Sequence, residues 1–357
     1  MKWIFQFSES HYLPRPCPFS LSPDIKHLSS SQKFCVERVI IAATMAFVPA
    51  PGYQPAYNPP VPYTTIIAGG LRVGMVVCVQ AKLPSNYNRW AINFATGQEE
   101  SSDVAFHMNA RYDGRDRFVF NSKQAEVWGE EEMKRDMPFK SGKVFFVMFE
   151  ITRNNYQVFA NGAPFYEFGH RIPLERVQWL QVVGDITIQE LSIIGNGPGV
   201  KGGLVLAAAQ SDLLPMLGPP IVNAPVPFST TVRGGMIPKR TAVIKLMTKS
   251  KAKSFAINFK VGFNNDIALH INPRLHKKTL ARNSFINGTW GEEETAVGNN
   301  PFKEGEFFDI SVRGGEKCFK VYVNGSHCFD YAHRIWNFQQ VDKIDVDGDV
   351  NIVYVFV

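Results

Sequence analysis

The sequence is short of cysteine, short of charge and without a long apolar run. Its five cysteines, Cys17, Cys35, Cys78, Cys318 and Cys328, are too few and too scattered for a disulfide framework, and an odd count leaves one unpaired. No CxxC pair or Cys/His spacing suggests zinc, so neither a metal nor a cofactor is expected, and the count suits a reducing compartment. The longest apolar stretch, residues 39–48, is about ten residues where a bilayer-spanning helix needs about 20, so no membrane insertion is expected. Trp3, Ile4, Phe5 and Phe7 open the chain, but Gln6, Ser8 and Glu9 break the run, and no signal peptide is read there. Only 20% of the 357 residues are charged, against 45% hydrophobic and 13% aromatic, which excludes a solvating disordered chain.

The net charge of +6 is a mild excess. Its one cluster, Lys239, Arg240, Lys245, Lys249, Lys251, Lys253 and Lys260, reads as a solvated hairpin edge that lysines protect from aggregation in preference to a polyanion site. No nucleic-acid partner is expected. Long amphipathic helices are missing too. From about residue 62 the chain reads instead as short alternating runs, such as Val73–Met75–Val77–Val79, FFVMFEI (145–151) and DITIQELSII (185–194). Asn161-Gly162 after an alternating run is a hairpin signal, and turn signals every 8–12 residues or so point to an all-β antiparallel sandwich or barrel.

The second half repeats the first at an offset of about 163, as from His107 to His270. AINFATG (91–97) returns as AINFKVG (256–262), His107-Met-Asn109-Ala-Arg111 as His270-Ile-Asn272-Pro-Arg274, and Trp128-Gly-Glu-Glu-Glu as Trp290-Gly-Glu-Glu-Glu. Asn161-Gly162, His170-Arg171-Ile172 and Gly184-Asp185 return as Asn324-Gly325, His333-Arg334-Ile335 and Gly348-Asp349. A unit this long is a whole domain. The expected organisation is an N-terminal extension (1–61), largely disordered with a Pro/Tyr-rich leader, then domain 1 (62–195), a linker (196–222) rich in Gly, Ala and Pro, and domain 2 (223–357). Met45 reads as an alternative start, with 1–44 adding little to the fold.

In a strand, alternation puts His107, Asn109 and Arg111 on one face and Met108 and Ala110 on the other. Three large polar groups at period two face water or a polar ligand, because a dry core would strip their hydration. One such triplet is an ordinary solvent face. Its return in both halves argues for use. Trp128 and Trp290, each followed by Gly and three glutamates, read either as buried anchors or as exposed π-surfaces bordered by hydrogen-bonding groups. The second arrangement suits a sugar: the C–H face of the ring packs on the indole, and Asn, His and Arg meet the hydroxyls.

HxNxR, then VxN, then WxxE resembles the carbohydrate-recognition domain of the galectins, through His107-Met-Asn109-Ala-Arg111, Val119-Phe-Asn121 and Trp128-Gly-Glu-Glu131. The second half matches with Asn287, Trp290 and Glu293, with Phe285 where the family usually has Val. The resemblance covers about 45–357 and is to the tandem-repeat members. It implies two jelly-roll β-sandwich domains joined by a linker. In that likeness His107, Asn109 and Arg111 bond the axial O4 of galactose, Asn121 and Glu131 bond O6, and Trp128 stacks. Glu131, oriented by Arg111, also reaches the neighbouring sugar. His270, Asn272, Arg274, Asn287, Trp290 and Glu293 take the same roles. The implied partners are lactose- or N-acetyllactosamine-type β-galactosides on glycoproteins or glycolipids, bound without metal, and the implied function is bivalent cross-linking.

Two departures stand out. Met133 and Thr295 occupy the position where the family often has an Arg that braces the Glu, so contacts beyond galactose differ. The run from His107 to Asn121 is also shorter than that from His270 to Asn287, so the two sites are expected to prefer different glycans. Asn287-Gly-Thr289 and Asn324-Gly-Ser326 are glycosylation acceptor motifs. A glycan on Asn287 would block a ligand contact, which favours cytosolic synthesis and, as in galectins, unconventional export. A glycosidase built on Glu130–Glu132 or Glu292–Glu294 is disfavoured, because successive glutamates do not flank a bond. A protein-binding scaffold with degenerate sugar sites is the alternative. His170 and His333 read as turn-ordering residues, and Cys78 as a small core residue.

Overall fold

Alternating apolar residues and Asn-Gly turns make nearly every described segment a strand. The computed structural model describes residues 47–195, 212–296 and 300–357; Cys17, Cys35 and the start read at Met45 lie outside them. The first lobe begins with β1 (Tyr53–Tyr57), β2 (Tyr63–Ile66), β3 (Val76–Lys82), β4 (Arg89–Ala95) and β5 (Val104–Arg111). It continues with β6 (Arg117–Gln124), β7 (Val127–Trp128), β8 (Glu132–Lys134), β9 (Val144–Ile151) and β10 (Asn155–Ala160), and ends with β11 (Ala163–Gly169), β12 (Trp179–Gly184) and β13 (Thr187–Ile194). These pair antiparallel into a front sheet, β2-β12-β4-β5-β6-β7 with β8 beside β6, and a back sheet, β1-β13-β3-β9-β10-β11.

The second lobe opens with β14 (Ile221–Val222), β15 (Phe228–Thr231), β16 (Thr241–Thr248), β17 (Phe255–Val261), β18 (Ile267–Arg274) and β19 (Thr279–Ile286). It closes with β20 (Thr289–Trp290), β21 (Phe307–Gly314), β22 (Cys318–Val323), β23 (Ser326–Ala332), β24 (Val341–Gly348) and β25 (Val350–Phe356). Its front sheet is β15-β24-β17-β18-β19-β20 and its back sheet β14-β25-β16-β21-β22-β23. The all-β reading and the two sandwiches are what the structure has. The Asn161-Gly162 and Asn324-Gly325 turns carry positive φ at both residues, the requirement of a two-residue hairpin.

Each sandwich encloses its own core. Phe94, Phe106, Phe149 and Tyr156 interlock in the first lobe, with Phe106 stacked on Tyr156 at 4.8 Å; Ile257, Phe259, Leu269 and Ile310 fill the second. Burying each such side chain is worth about 1.5–3 kcal/mol. The central strands of the back sheets, β3 and β9 in one lobe and β16 and β21 in the other, are buried on both faces. Val77, Val79, Phe145 and Val147 point into the first core, while Val76, Cys78, Phe146 and Met148 join Val243, Phe307, Tyr354 and Phe356 in a third apolar layer between the lobes. Phe146 and Phe307 stack there at 5.5 Å, and residues 47–357 form one compact unit. The order of layers is therefore front sheet, back sheet, back sheet, front sheet.

This packing corrects three expectations. Lys245 is not on a solvated hairpin edge. Strand β16 lies between β25 and β21, and Lys245, 0% exposed, donates to Glu190 at 2.6 Å and to Gln80 at 2.8 Å across the lobe boundary. The leader is not disordered over its described part either: β1 pairs with β13, and the Tyr53 and Tyr57 hydroxyls donate to Asp309 of the second lobe. The segment read as linker already contributes β14, paired with β25. Cys78 is buried as expected, but it faces the other lobe instead of its own core, and burial pushes its thiol pKa up.

Candidate carbohydrate-binding sites

The outer face of each front sheet carries the repeated polar residues. Met108, Ala110, Phe118 and Phe120 anchor β5 and β6 in the first core, so His107, Asn109, Arg111 and Asn121 point outward. His107 Nδ1 lies 2.6 Å from Asn93 Oδ1. With that amide oxygen accepting, the proton sits on Nδ1 and Nε2 is left as an acceptor toward the groove. Burial first, then the Arg89 and Arg111 charges, push the His107 pKa down to about 4, so the ring is neutral near pH 7.

Asn109 is 0% exposed although it lies on the outer face. It escapes the desolvation penalty because its amide is saturated: Nδ2 donates to the Trp90 carbonyl at 2.7 Å, and Oδ1 accepts from Arg111 Nε at 2.8 Å and Arg89 Nε at 3.0 Å. Arg111 also pairs with Glu131 at 3.0 Å. Trp128 is 48% exposed, with its ring centroid 4.8 Å from that of His107. The indole is thus an open plate, and the buried-anchor reading fails.

Asn121 donates to the Gly129 carbonyl at 2.9 Å and so ties down the turn behind Trp128. Its Oδ1 accepts from Arg171 Nη1 at 3.2 Å, while Arg171 Nη2 pairs with Glu132 at 2.6 Å. A Cβ at Gly129 would stand 3.1 Å from Arg171 Nη1 and 3.2 Å from Asn121 Oδ1. The glycine after the tryptophan is therefore the gap through which this brace reaches.

The second lobe rebuilds the site. His270 Nδ1 lies 2.6 Å from Asn258 Oδ1, Asn272 donates to the Phe255 carbonyl at 2.6 Å, and Arg274 Nε donates to Asn272 at 2.9 Å. Arg274 grips Glu293 with both ends of its fork, at 2.9 and 2.6 Å. Burial, followed by the Arg274 charge, pushes the His270 pKa down to about 4. Trp290 is also 48% exposed, 4.9 Å from His270 between centroids.

Asn287 does not join this group. It sits at positive φ in the turn between β19 and β20, and its N–H donates to Asp266. Its counterpart is Ala125, which has the same φ sign and donates to Asp103. The residue in the place of Asn121 is Asn283. It is opposite His270 as Asn121 is opposite His107, donates to the Gly291 carbonyl at 2.9 Å and accepts from Arg334 Nη1 at 3.2 Å. With Asn283 as the reference, the second lobe's His-to-Asn segment is the shorter of the two by one residue, the reverse of the sequence expectation. The signal that would have found Asn283 is its spacing from the tryptophan, seven residues in both copies.

Sequence reasoning also missed Arg171 and Arg334, although both belong to the repeated His-Arg-Ile triplet. Arg334 pairs with Glu294 at 2.5 Å and donates to the Glu292 carbonyl at 2.7 Å. The neighbouring histidines do order turns: His170 Nε2 meets the Thr152 carbonyl and His333 Nε2 the Gly315 carbonyl. Met133 and Thr295 are exposed, and the carboxylates beside them are braced by Arg111 with Arg171 and by Arg274 with Arg334.

Two regions, residues 62–193 and 227–357, match the family model described as galactoside-binding lectin. The chain belongs to the galectins. It is a tandem-repeat galectin of the galectin-4 type, a β-galactoside-binding lectin with two recognition domains. It is 49% identical over 321 residues to human (Homo sapiens) galectin-4, covering 87% of this chain and 99% of that protein. Mouse (Mus musculus) galectin-6 is 46% identical over 313 residues, 88% of this chain and 100% of that one. Rat (Rattus norvegicus) galectin-8 is 32% identical over 302 residues, 83% and 95% of the two chains.

Proposed function

We propose that the two galectin sites bind the terminal β-galactoside through His107, Asn109, Arg111, Asn121, Trp128 and Glu131 in one lobe, and His270, Asn272, Arg274, Asn283, Trp290 and Glu293 in the other. The observation that carries this reading is the half-exposed indole beside a neutral imidazole in both lobes. The C–H face of galactose packs on the indole. The axial hydroxyl donates to histidine Nε2 and accepts from the N–H groups of the arginine, which the saturated asparagine orients through its Oδ1, so a sugar with an equatorial hydroxyl leaves the imidazole and guanidinium unpaired. Glu131 and Glu293, pinned by Arg111 and Arg274, accept from hydroxyls of the galactose or its neighbour.

The glutamates after each tryptophan serve as clamps and not as an acid–base pair, and the activity is binding without turnover or metal. With two sites on one chain, glycoproteins or glycolipids are cross-linked. Among the described residues no helix is long and apolar enough to cross a membrane. Synthesis in the cytosol followed by unconventional export fits Asn287-Gly-Thr289: a glycan there would stand three residues from Trp290, beside the stacking ring.

Titration of lactose into Trp128→Ala and Trp290→Ala by calorimetry tests the reading. Each variant loses one of two sites, by about 2 kcal/mol or 30-fold for the lost stacking, and the double variant loses both. Two intact sites in the double variant would end the proposal.

A further inference from the structure

The lobes are joined by more than a tether. Lys245 from the second back sheet is sealed against Glu190 and Gln80 of the first. Asp309, also from the second, takes hydroxyl donors from Tyr53 and Tyr57 of the leader strand. The Tyr57 ring covers Gly325 so closely that a Cβ there would run into it, and the Ser192 and Tyr354 hydroxyls meet at 3.4 Å. The leader strand therefore belongs to the first lobe's sheet by its backbone and to the second lobe by its side chains. A buried lysine with two partners fixes orientation, because any sliding of one sheet over the other leaves a buried charge unpaired.

From these contacts we infer that the two galactoside sites are held on opposite outer faces of one rigid body, and that the protein bridges two separate galactoside-bearing surfaces instead of gripping two glycans on one. The inference rests on the lectin reading above. It follows from the layer order: the front sheets carry the sites on their outer faces, and the back sheets meet in the middle. A flat surface that engages Trp128 then has Trp290 turned away from it. Effective concentration strengthens a second binding event only when geometry allows both at once, so a single surface gains nothing from the second lobe.

The test has a sugar-free arm and a sugar arm, both on the full chain, with Glu190→Lys as the undocked variant. That substitution sets a second ammonium against Lys245, while Glu190 lies on a face that is solvated once the lobes part. In small-angle scattering without sugar, the unmodified protein is expected to fit one compact body and Glu190→Lys to show a larger radius of gyration. On supported bilayers carrying lactosyl lipid, the residence time of the unmodified protein should change less than two-fold between sparse and dense lipid, while it aggregates lactosyl vesicles. Glu190→Lys should be retained at least ten-fold longer on the dense bilayer. Scattering of the unmodified protein that matches the variant, or equal density dependence in the two, would overturn the inference. Loss of lactose-competable binding in both proteins, with the scattering result intact, would instead count against the lectin reading and leave the docked body standing.

Discussion

The two lobes are nearly the same at the front and different at the back. In front, imidazole, amide, guanidinium and indole recur with matching partners: His107 and His270 each rest on an asparagine at 2.6 Å, and both tryptophans are equally exposed. At the back, Gln80 and Lys245 hold the fifth positions of β3 and β16, and Phe146 and Asp309 the third positions of β9 and β21. Gln80 and Lys245 touch each other. Equivalent positions thus meet face to face, and two identical lysines there would set ammonium against ammonium in a dry layer. Divergence is what allows the lysine to be buried. The front faces stay alike because they meet the same chemistry separately.

The sharpest way to break this comparison is at Lys245. Lys245→Met leaves the Glu190 carboxylate buried without its partner, a loss of about 3–5 kcal/mol. The lobes should then unfold as two calorimetric transitions where the unmodified protein shows one. Lactose affinity per site should hardly move, since Lys245 lies a full sandwich away from either front sheet. A single unshifted transition in the variant would refute the docking energetics.

Asn283 and Asn287 sharpen the comparison at the front. Asn283→Ala removes an acceptor from Arg334 and from the Ser284 N–H, and a donor from the Gly291 carbonyl. The turn that carries Trp290 loosens, and leaving such buried groups unpaired costs about 1–3 kcal/mol. Lactose binding by the second lobe should fall roughly 10- to 100-fold. Asn287→Ala should change it less than two-fold, because the Asn287 interaction runs through its backbone N–H. Equal losses in the two variants would restore Asn287 to the site.

The asparagine exchange also shows where sequence reading stops. The sandwiches, the duplication and the histidine–tryptophan pairs were legible because period-two alternation and exact repetition are one-dimensional signals. Asn283 is hidden from a VxN pattern because Ala281 stands where the pattern has Val, and only its seven-residue spacing from Trp290 marks it. The burial of Asn109 is illegible for another reason: it faces outward, yet the guanidinium groups of Arg89 and Arg111 cover it. Lys245 looks solvated in the sequence because it stands in a run of basic residues, and only the docking of a second sheet reveals that AVIKLM (242–247) is buried on both faces. Alternation tells which residues share a face and is silent about what covers that face.

The depressed histidine values set the pH behaviour of both sites. Each ring binds as the neutral acceptor, and each is held down to about 4. Lactose affinity should therefore be flat from about pH 8 to 5 and fall as the pH approaches 4, where Nε2 takes up a proton and stops accepting. The sign follows from burial, which disfavours the imidazolium. Titration at half-unit intervals checks it, and a midpoint near the ordinary histidine value of about 6.5 would show that the rings are solvated.

The smallest expected effect separates the two sites most finely. Arg89 gives the first lobe a second guanidinium on Asn109 Oδ1, at 3.0 Å; Ser254 stands in the matching place, paired with Arg274 as Arg89 is with Arg111. The second lobe compensates by the two-ended grip of Arg274 on Glu293, where Arg111 has one contact with Glu131. The first site therefore locks its asparagine and the second its glutamate. Arg89→Ser, measured with Trp290→Ala so that only the first lobe reports, should weaken lactose by about 1 kcal/mol, or roughly five-fold, the net value of one hydrogen bond. It should also raise the pH at which binding is lost, because the Arg89 charge is one of the causes of the low His107 value. An unchanged affinity together with an unchanged pH profile would mean that Arg111 alone holds Asn109, and that the two lobes recognise galactose in the same way.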